Sequence, residues 1–286
     1  MDSVREVQMI QLETLRDVAR FCDAAGLRYF LHCGSLLGCI RHEGFIPWDD
    51  DVDLAMPLAD YRRFEKLVPG TMTEKYTMLS PASRNHHLRW IKVCRNGTTY
   101  CQKKDLAYDT HWGISIDIYP LIGISSHPRV EKLQQKMSFA ARFLLAADIR
   151  IARGDGSRGL HQYLAYLPRK IRVSWARLLL RLCSFDPDRH TRCCTIDGAP
   201  LEGKFQRSDF AEAVPGKFEG EYFDIPAAYE RLLRIMYWTP MVLPPPEKRC
   251  GHYAAGSFIA DTHRDYRLYR KAYLQRNKTK RRECPA

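Results

Sequence analysis

The stretch "HCGSLLGCIRHEGFIPWDDDVDLAM", residues 32–56, places Asp49, Asp50, Asp51 and Asp53 within five positions, shortly after a Gly-Ser pair. Like charges this close repel, and they need a cation, strong hydrogen-bond donors or full exposure to water. The following Leu54-Ala55-Met56 reads as buried, which argues against full exposure of all four. Residues two apart on a strand share a face. A strand through "DDVDLAM" therefore projects Asp51 and Asp53 together, roughly 6–7 Å apart at the backbone, and turns Val52 and Leu54 into a core. Two carboxylates on one strand face suit a hard divalent cation. Mg²⁺ (or Mn²⁺) takes one or two carboxylates and completes its shell with substrate phosphates and water.

Working outward, "LRYFLHC" (27–33) reads as a strand, and Gly34-Ser35 turns it into a short helix, "SLLGCIRH". A helix N-terminus offers free N–H groups and the positive end of a dipole, which suits phosphate. Gly34 permits close backbone approach and Ser35 adds a hydroxyl. Further on, "GISIDIYPLI" (113–122) alternates, with Ile114, Ile116 and Ile118 on one face and Ser115, Asp117 and Tyr119 on the other. If that strand lies beside the first, Asp117 joins the acidic pair, and such a trio can hold two metals about 3.5–4 Å apart for in-line phosphoryl transfer. A lone Gly-Ser is most often an ordinary turn, a lone Asp run is most often a charged loop, and a lone Asp117 most often faces solvent. Strand, Gly-Ser, helix, then Asp-x-Asp on the next strand is the logic of a nucleotidyltransferase-type site.

The remaining pattern predicts an α/β (α+β) chain: a nucleotidyltransferase-like sheet with flanking helices plus a basic helical insertion. Residues 3–25 form an amphipathic helix with a Ser3/Glu6 capping box and Gly26 as terminator. "LADYRRFEKLV" is a helix stopped by Pro69-Gly70. "LRWIKVCR" (88–95) runs into Asn96-Gly97, a hairpin signal with "TTYCQ" as its partner. After Pro128, residues 129–153 read as one amphipathic helix with Val130, Leu133, Met137, Ala141, Leu144 and Asp148 along its stripe, and 158–183 as another interrupted by Pro168. "PAAYERLLRIMY" is a short helix, and "LPPPEKRCGHY" a stiff, extended segment. The expected division is a catalytic core at 1–128, the basic helices at 129–192, a part completing the site at 193–263 and a basic tail at 264–286, disordered over its last ten or so residues.

Charge is unevenly placed. The chain of 286 residues carries +12, of which residues 129–192 hold +9 and residues 264–286 hold +7, leaving −4 elsewhere. The basic regions point to anionic partners: a phosphorylated substrate, a nucleic acid or an anionic membrane surface. The opening "MDSVREVQMIQLETLRDVARF" is charged throughout, unlike a signal peptide, and no run approaches the ~18 apolar residues of a membrane span. A cytoplasmic protein, with peripheral contact at the inner face of the membrane, is expected, its cysteines reduced. Cys183, Cys193, Cys194, Cys250 and His252 contain no CxxC pair, which weighs against a structural zinc.

"GSLLGCIRHEGFIPWDDDVDLAM", "RWIKVCRNGT", "GISIDIYPL" and the later "FEGEYFDIP…YERLLRIMYW…LPPPEKRCGHY" closely resemble the LicD family, which includes fukutin and fukutin-related protein. The likeness covers roughly residues 10–125 and 215–252 and little of 129–192. It implies a nucleotidyltransferase fold and metal-dependent transfer of a phospho-alcohol, such as phosphocholine or ribitol phosphate, from a CDP-linked donor to a glycan acceptor of the cell-surface polysaccharide, lipopolysaccharide or teichoic acid type. By position, Gly34 and Ser35 match its phosphate-binding turn, and Asp51, Asp53 and Asp117 its metal carboxylates. The family often has a Tyr-Gly-Asp-Tyr-like segment where this chain reads Tyr237-Trp238-Thr239-Pro240, which puts acceptor identity in doubt. Arg41 and His42 end the short helix near the Asp run, where they face donor phosphate or Arg41 pairs with Asp49 or Asp50. Lys92 meets a diphosphate or is an edge-strand lysine. Arg249 and His252 close the site on the substrate from the last third. Trp48 belongs to the core or stacks on a base. The rival reading keeps the fold and moves a nucleoside monophosphate onto RNA or protein, releasing pyrophosphate instead of CMP. A non-enzymatic binding protein gives no reason for the carboxylates beside the Gly-Ser turn.

Overall fold

The computed structural model describes residues 4–70, 72, 74–83, 85–153, 163–164, 166–197, 201, 203–249, 251 and 258–283. Helix α1 (Val4–Ala25) buries Val7, Leu12, Leu15, Val18 and Cys22, and Gly26 ends it at φ +59°. Ser3 of the expected capping box lies outside the described residues. Strand β1 is short (Phe30–Leu31), because the chain turns at His32 into α2 (Cys33–His42). Then follow β2 (Asp53–Pro57), α3 (Leu58–Leu67), β3 (Tyr76–Leu79), β4 (Ile91–Arg95), β5 (Thr99–Gln102) and β6 (Ser115–Ile124).

The central mixed sheet runs β1-β2-β6-β4-β3. Its β2–β6 pair is parallel, and its other pairs are antiparallel. β7 (Arg192–Thr195) adds to the C-terminal half of β6, and β8 (Phe205–Gln206) pairs with β7. Leu31, Val52, Leu54, Ile91, Val93, Ile116 and Ile118 pack with α1, α2 and α3 in one core. The alternation read in 113–122 holds, with Ile114, Ile116 and Ile118 fully buried.

The hairpin expected across Asn96-Gly97 does not form. β5 pairs with β11 (Phe258–Asp261), Thr99 opposite Asp261. Both edges of β4 are already taken, by β3 and β6, so β5 has no free edge to join. Gly97, at φ +76°, still supplies the turn.

The basic region is a pair of helices, α4 (Pro128–Arg153) and α5 (Arg169–Cys183), packed over the β6–β7 end of the sheet. Pro168 stands as the N-cap of α5, so it starts the helix. The stripe read along α4 holds at Met137, Ala141 and Leu144 but is displaced elsewhere: Gln134, Ser138, Leu145 and Ile149 are buried, and Leu133 is exposed. The buried polar pair explains the shift. Gln134 bridges the carbonyls of Gly123 and Cys183 and accepts from Ser125 N–H, and Ser138 receives Arg89. A hairpin, β9 (Ala213–Phe218) and β10 (Glu221–Pro226), turns at Glu219-Gly220 with both φ positive, as a tight hairpin turn demands. Helix α6 (Tyr229–Tyr237) follows, then a 3₁₀ turn at Pro246–Lys248 where a fully extended segment was expected. The C-terminal segment forms helix α7 (Tyr266–Glu283), which takes in part of the stretch expected to be disordered; residues 284–286 of that stretch lie outside the described residues.

Candidate active site

Register decides the site. Asp53 is the first residue of β2 and lies directly beside Asp117 on the parallel β6, and Lys92 of β4 lies directly beyond Asp117. Neighbouring strands lie about 4.8 Å apart, so two carboxylates and an ammonium stand side by side on one sheet face. Asp51 precedes the strand instead of sharing it, in the loop that carries Asp49 and Asp50. Asp49, Asp50 and Asp51 each bring a carboxylate oxygen within 4.8 Å of the others.

Fixed donors hold this crowd. Gln8 and Gln11, one turn apart on the core face of α1, donate to the carbonyls of Asp49 (2.8 Å) and Asp50 (2.8 Å). Tyr100 O–H donates to Asp50 Oδ2 at 2.6 Å. Tyr119 O–H donates to Asp53 Oδ1 at 3.1 Å. Lys92 Nζ lies 2.5 Å from Asp117 Oδ1, and Trp90 Nε1–H donates to Oδ2 at 3.0 Å. The Asp53 carboxyl is pushed well above the usual range, first by burial and then by the neighbouring charges of Asp51 and Asp117. Lys92 is the reverse case. Burial works against its charge, but Asp117 overrides that and raises its pKa.

Gly34 and Ser35 sit in the first turn of α2 and build this loop. A Cβ on Gly34 would stand 2.6 Å from Asp49 Oδ2, so only glycine leaves room for that carboxylate against the helix N-terminus, where the dipole favours it. The buried Ser35 Oγ accepts from Asp53 N–H at 2.9 Å and so fixes the start of β2.

Arg41, His42, Trp48 and Arg249 form a second group. Arg41 does not use its guanidinium on Asp49 or Asp50; it donates to the carbonyls of Pro240 (3.0 Å) and Val242 (3.4 Å). Its charge is destabilised chiefly by burial and further by Arg249, with Tyr237 and Asp49 opposing. The Arg249 guanidinium lies 5.5 Å from the centre of the half-buried Trp48 ring, and His42 meets that ring edge-on. His252 lies outside the described residues. Tyr237 is 37% exposed, and its hydroxyl pKa is raised by the partial desolvation of the ring and then by the nearby Cys33, Asp53, Asp49 and Asp51. A cavity of about 220 Å³ lies alongside, lined by His32, Cys33, Thr195, Asp197, Phe205 and Tyr237. His32 is held neutral, its pKa lowered to about 4 by burial.

Of the holding residues, Tyr119 was legible, since it shares a strand face with Asp117. Gln8 and Gln11 were signalled as polar residues among the apolar positions of α1. Trp90, Tyr100 and Tyr237 reach the site by packing that no local pattern announces. Among the described residues the cysteines are free thiols. Cys183, Cys193 and Cys194 form no metal-ligand group among the described residues, and Cys250 and His252 lie outside those residues.

The donor set is all oxygen and crowded, with Asp50 and Asp53 buried and Asp49, Asp51 and Asp117 half-buried, which fits a hard divalent cation better than zinc. Residues 26–146 match the family model "LicD/FKTN/FKRP, nucleotidyltransferase domain". The chain is 25% identical over 277 residues to the lipopolysaccharide cholinephosphotransferase LicD of Haemophilus influenzae, a match spanning 90% of this chain and 98% of that protein. It is 50% identical over 60 residues to the ribitol 5-phosphate transferase FKRP of Mus musculus and of Homo sapiens, spanning 20% of this chain and 12% of those proteins. The matched segment contains the whole acidic loop, β2 and β6. Its C-terminal limit falls within α4, so Arg249, Tyr237 and most of the cavity lining lie beyond it. No helix among the described residues is long and apolar enough to cross a membrane.

Proposed function

We propose that this LicD-like phosphotransferase moves a phospho-alcohol group, phosphocholine-like or polyol-phosphate-like, from a CDP-linked donor to a glycan hydroxyl. The observation that carries the reading is the register setting Asp53 beside Asp117 within the matched segment, with Asp51 adjoining. Asp51, Asp53 and Asp117 would hold a divalent cation, which when bound neutralises the donor diphosphate and the charge developing on the leaving CMP. The protein's own groups do the rest. Lys92 and Trp90 orient Asp117, with a longer contact from Tyr119 O–H to Oδ2, and Oδ1, held by Lys92, retains a second lone pair. Asp117 therefore accepts the proton of the incoming hydroxyl as the new P–O bond forms and the bond to CMP breaks. Gly34 and Ser35 keep Asp49 and Asp53 in place, and a donor-phosphate contact would be additional to that role. Arg41 and Arg249 supply positive charge beside the loop, and the cavity against Tyr237 takes the small alcohol.

The test is CMP release from CDP-choline and CDP-ribitol, each with candidate glycans, with and without Mg²⁺. Metal-dependent CMP release with one donor, lost in Asp53→Asn, is the expected result. Pyrophosphate release from a nucleoside triphosphate, with labelling of RNA or protein and no CMP from either donor, would overturn it in favour of nucleotidyl transfer.

A further inference from the structure

Helix α5 carries two parallel lines of side chains on its outer surface. Ile171, Trp175, Leu178 and Leu182 follow the i, i+4, i+7, i+11 spacing of one helix face, and they are 46%, 57%, 44% and 51% exposed. The preceding residues, Lys170, Ser174, Arg177 and Arg181, make a second line with the same spacing, also exposed. The helix has its buried face elsewhere, at Arg172, Ala176, Leu180 and Cys183. The apolar line is therefore not core, and it extends about 16 Å along the axis.

The basic line borders a groove of about 710 Å³ between α5 and α3. Arg62 and Lys66 of α3 face Arg177 and Arg181 across it, with the buried Arg89 contributing, and Glu65 is its one acidic lining residue. Segment 169–183 contains no carboxylate. Among the described residues none of Arg62, Lys66, Lys170, Arg177 and Arg181 has an ion-pair partner, whereas Arg169 and Arg172 are paired with Asp148 and pin α5 to α4. Leu178 belongs to both features: it lies in the apolar line and it lines the groove.

We propose that this face docks on an anionic lipid bilayer, with headgroup phosphates in the α3–α5 groove and the Ile171–Leu182 line among the acyl chains at the interface. The pairing of an exposed apolar line containing Trp with a contiguous line of unpaired cations is the pattern of an in-plane interfacial helix. A free phosphate would need the groove alone. An acidic protein would not need four large apolar side chains held open to water.

The proposal does not depend on the transfer chemistry, and it is tested without it. The full chain is floated at low salt with vesicles of phosphatidylcholine and with vesicles of phosphatidylcholine plus phosphatidylglycerol. Binding is expected to the second kind only. It should be lost on raising salt and retained when inorganic phosphate is added at constant ionic strength. Arg177→Gln with Arg181→Gln should weaken binding about thirtyfold, on the scale of two cations leaving an anionic surface. Trp175→Ser with Leu178→Ser should weaken it about tenfold or more. CMP release to a soluble acceptor should be unchanged in both double variants. If the serine pair disturbs folding, the glutamine pair still decides the matter. Wild-type binding by both double variants overturns the proposal. So does no vesicle binding at low salt, release by inorganic phosphate, or a wild-type dimer that the serine pair abolishes, which would assign the face to a second copy.

Discussion

The acidic loop and the outer face of α5 are both crowded with like charge, but the crowding is maintained in opposite ways. Around Asp49–Asp53 and Asp117 the fold supplies fixed donors: Gln8 and Gln11 hold the carbonyls of Asp49 and Asp50, Tyr100 and Tyr119 hold the carboxylates of Asp50 and Asp53, and Trp90 and Lys92 hold that of Asp117. On α5, Lys170, Arg177 and Arg181 project into water, and no element reaches out to them. Solvent screens the second group, so its repulsion is small. The first is buried or half-buried, so its repulsion is held in place by the fold, as the raised pKa of Asp53 shows. A built cluster is a chemical site, whereas a solvated one is a surface that acts only when an oppositely charged surface approaches.

The largest expected effect comes from breaking the built cluster. Asp53→Asn removes a buried charge that burial, Asp51 and Asp117 all oppose, and the amide oxygen can still accept from Tyr119. Folding stability should stay the same or rise, while transfer should fall at least a hundredfold, the scale of losing one charge-stabilising group in an active site. Thermal unfolding and CMP release measured on the same preparation check both halves. A variant that loses activity by unfolding would show that Asp53 is structural.

Next in size is Lys92→Met, which leaves Asp117 half-buried with Trp90 and the longer Tyr119 contact as its donors. A lost hydrogen bond to a charged group costs about 1.5–3 kcal/mol. Urea unfolding should show that loss, with activity falling as well because Asp117 is no longer oriented. If activity falls while stability is kept, Lys92 serves the substrate and not Asp117.

This half of the molecule was largely legible in the sequence because its signals are local. The Ile114/Ile116/Ile118 alternation placed Asp117 and Tyr119 on one face, and the Asp run stood against a buried Leu54-Ala55-Met56. What local pattern could not supply was partner choice. β5 left the Asn96-Gly97 hairpin because β3 and β6 already flank β4, and only the whole sheet decides that. The expected strand "DDVDLAM" begins three residues late, at Asp53, because Ser35 Oγ and the Gln8 and Gln11 amides hold the preceding loop. Arg41 was read against Asp49 or Asp50, yet it is bound to the carbonyls of Pro240 and Val242, some 200 positions along the chain (~200 by sequence count). On α4 the stripe holds at Met137, Ala141 and Leu144 but not at Leu133, because Gln134 and Ser138 are buried for their hydrogen bonds. On α5 an amphipathic pattern was visible, but which apolar line faced the core was not, since the helix has two.

A smaller effect sharpens the contrast through pH. His86 and His111 are buried and neutral, with pKa values lowered to about 3 and about 4, chiefly by burial. Their unfolded values lie near 6.5. Between pH 6.5 and 4 the unfolded chain binds more protons at these positions, so stability falls as pH falls through that window, by up to ~1.4 kcal/mol per pH unit for each histidine. Urea unfolding at pH 7, 6 and 5 measures the slope. His111→Asn should make it shallower, and an unchanged slope would show that His111 is protonated in the folded protein.

The smallest expected effect lies on α5 and has the opposite sign. Arg177 and Arg181 are four residues apart on one exposed helix face, with no carboxylate on that helix. A like-charge pair at that spacing destabilises a helix by about 0.2–0.5 kcal/mol. Arg177→Gln relieves it, and glutamine has nearly the same helix propensity as arginine. Unfolding in low salt should show a gain of about that size, fading as salt screens the pair. The same charge removal that costs stability at Lys92 should therefore be neutral or favourable here. A loss of 1 kcal/mol or more, beyond the ~0.5 kcal/mol of an ordinary surface substitution, would mean that Arg177 has a structural partner and that the two regions are built alike.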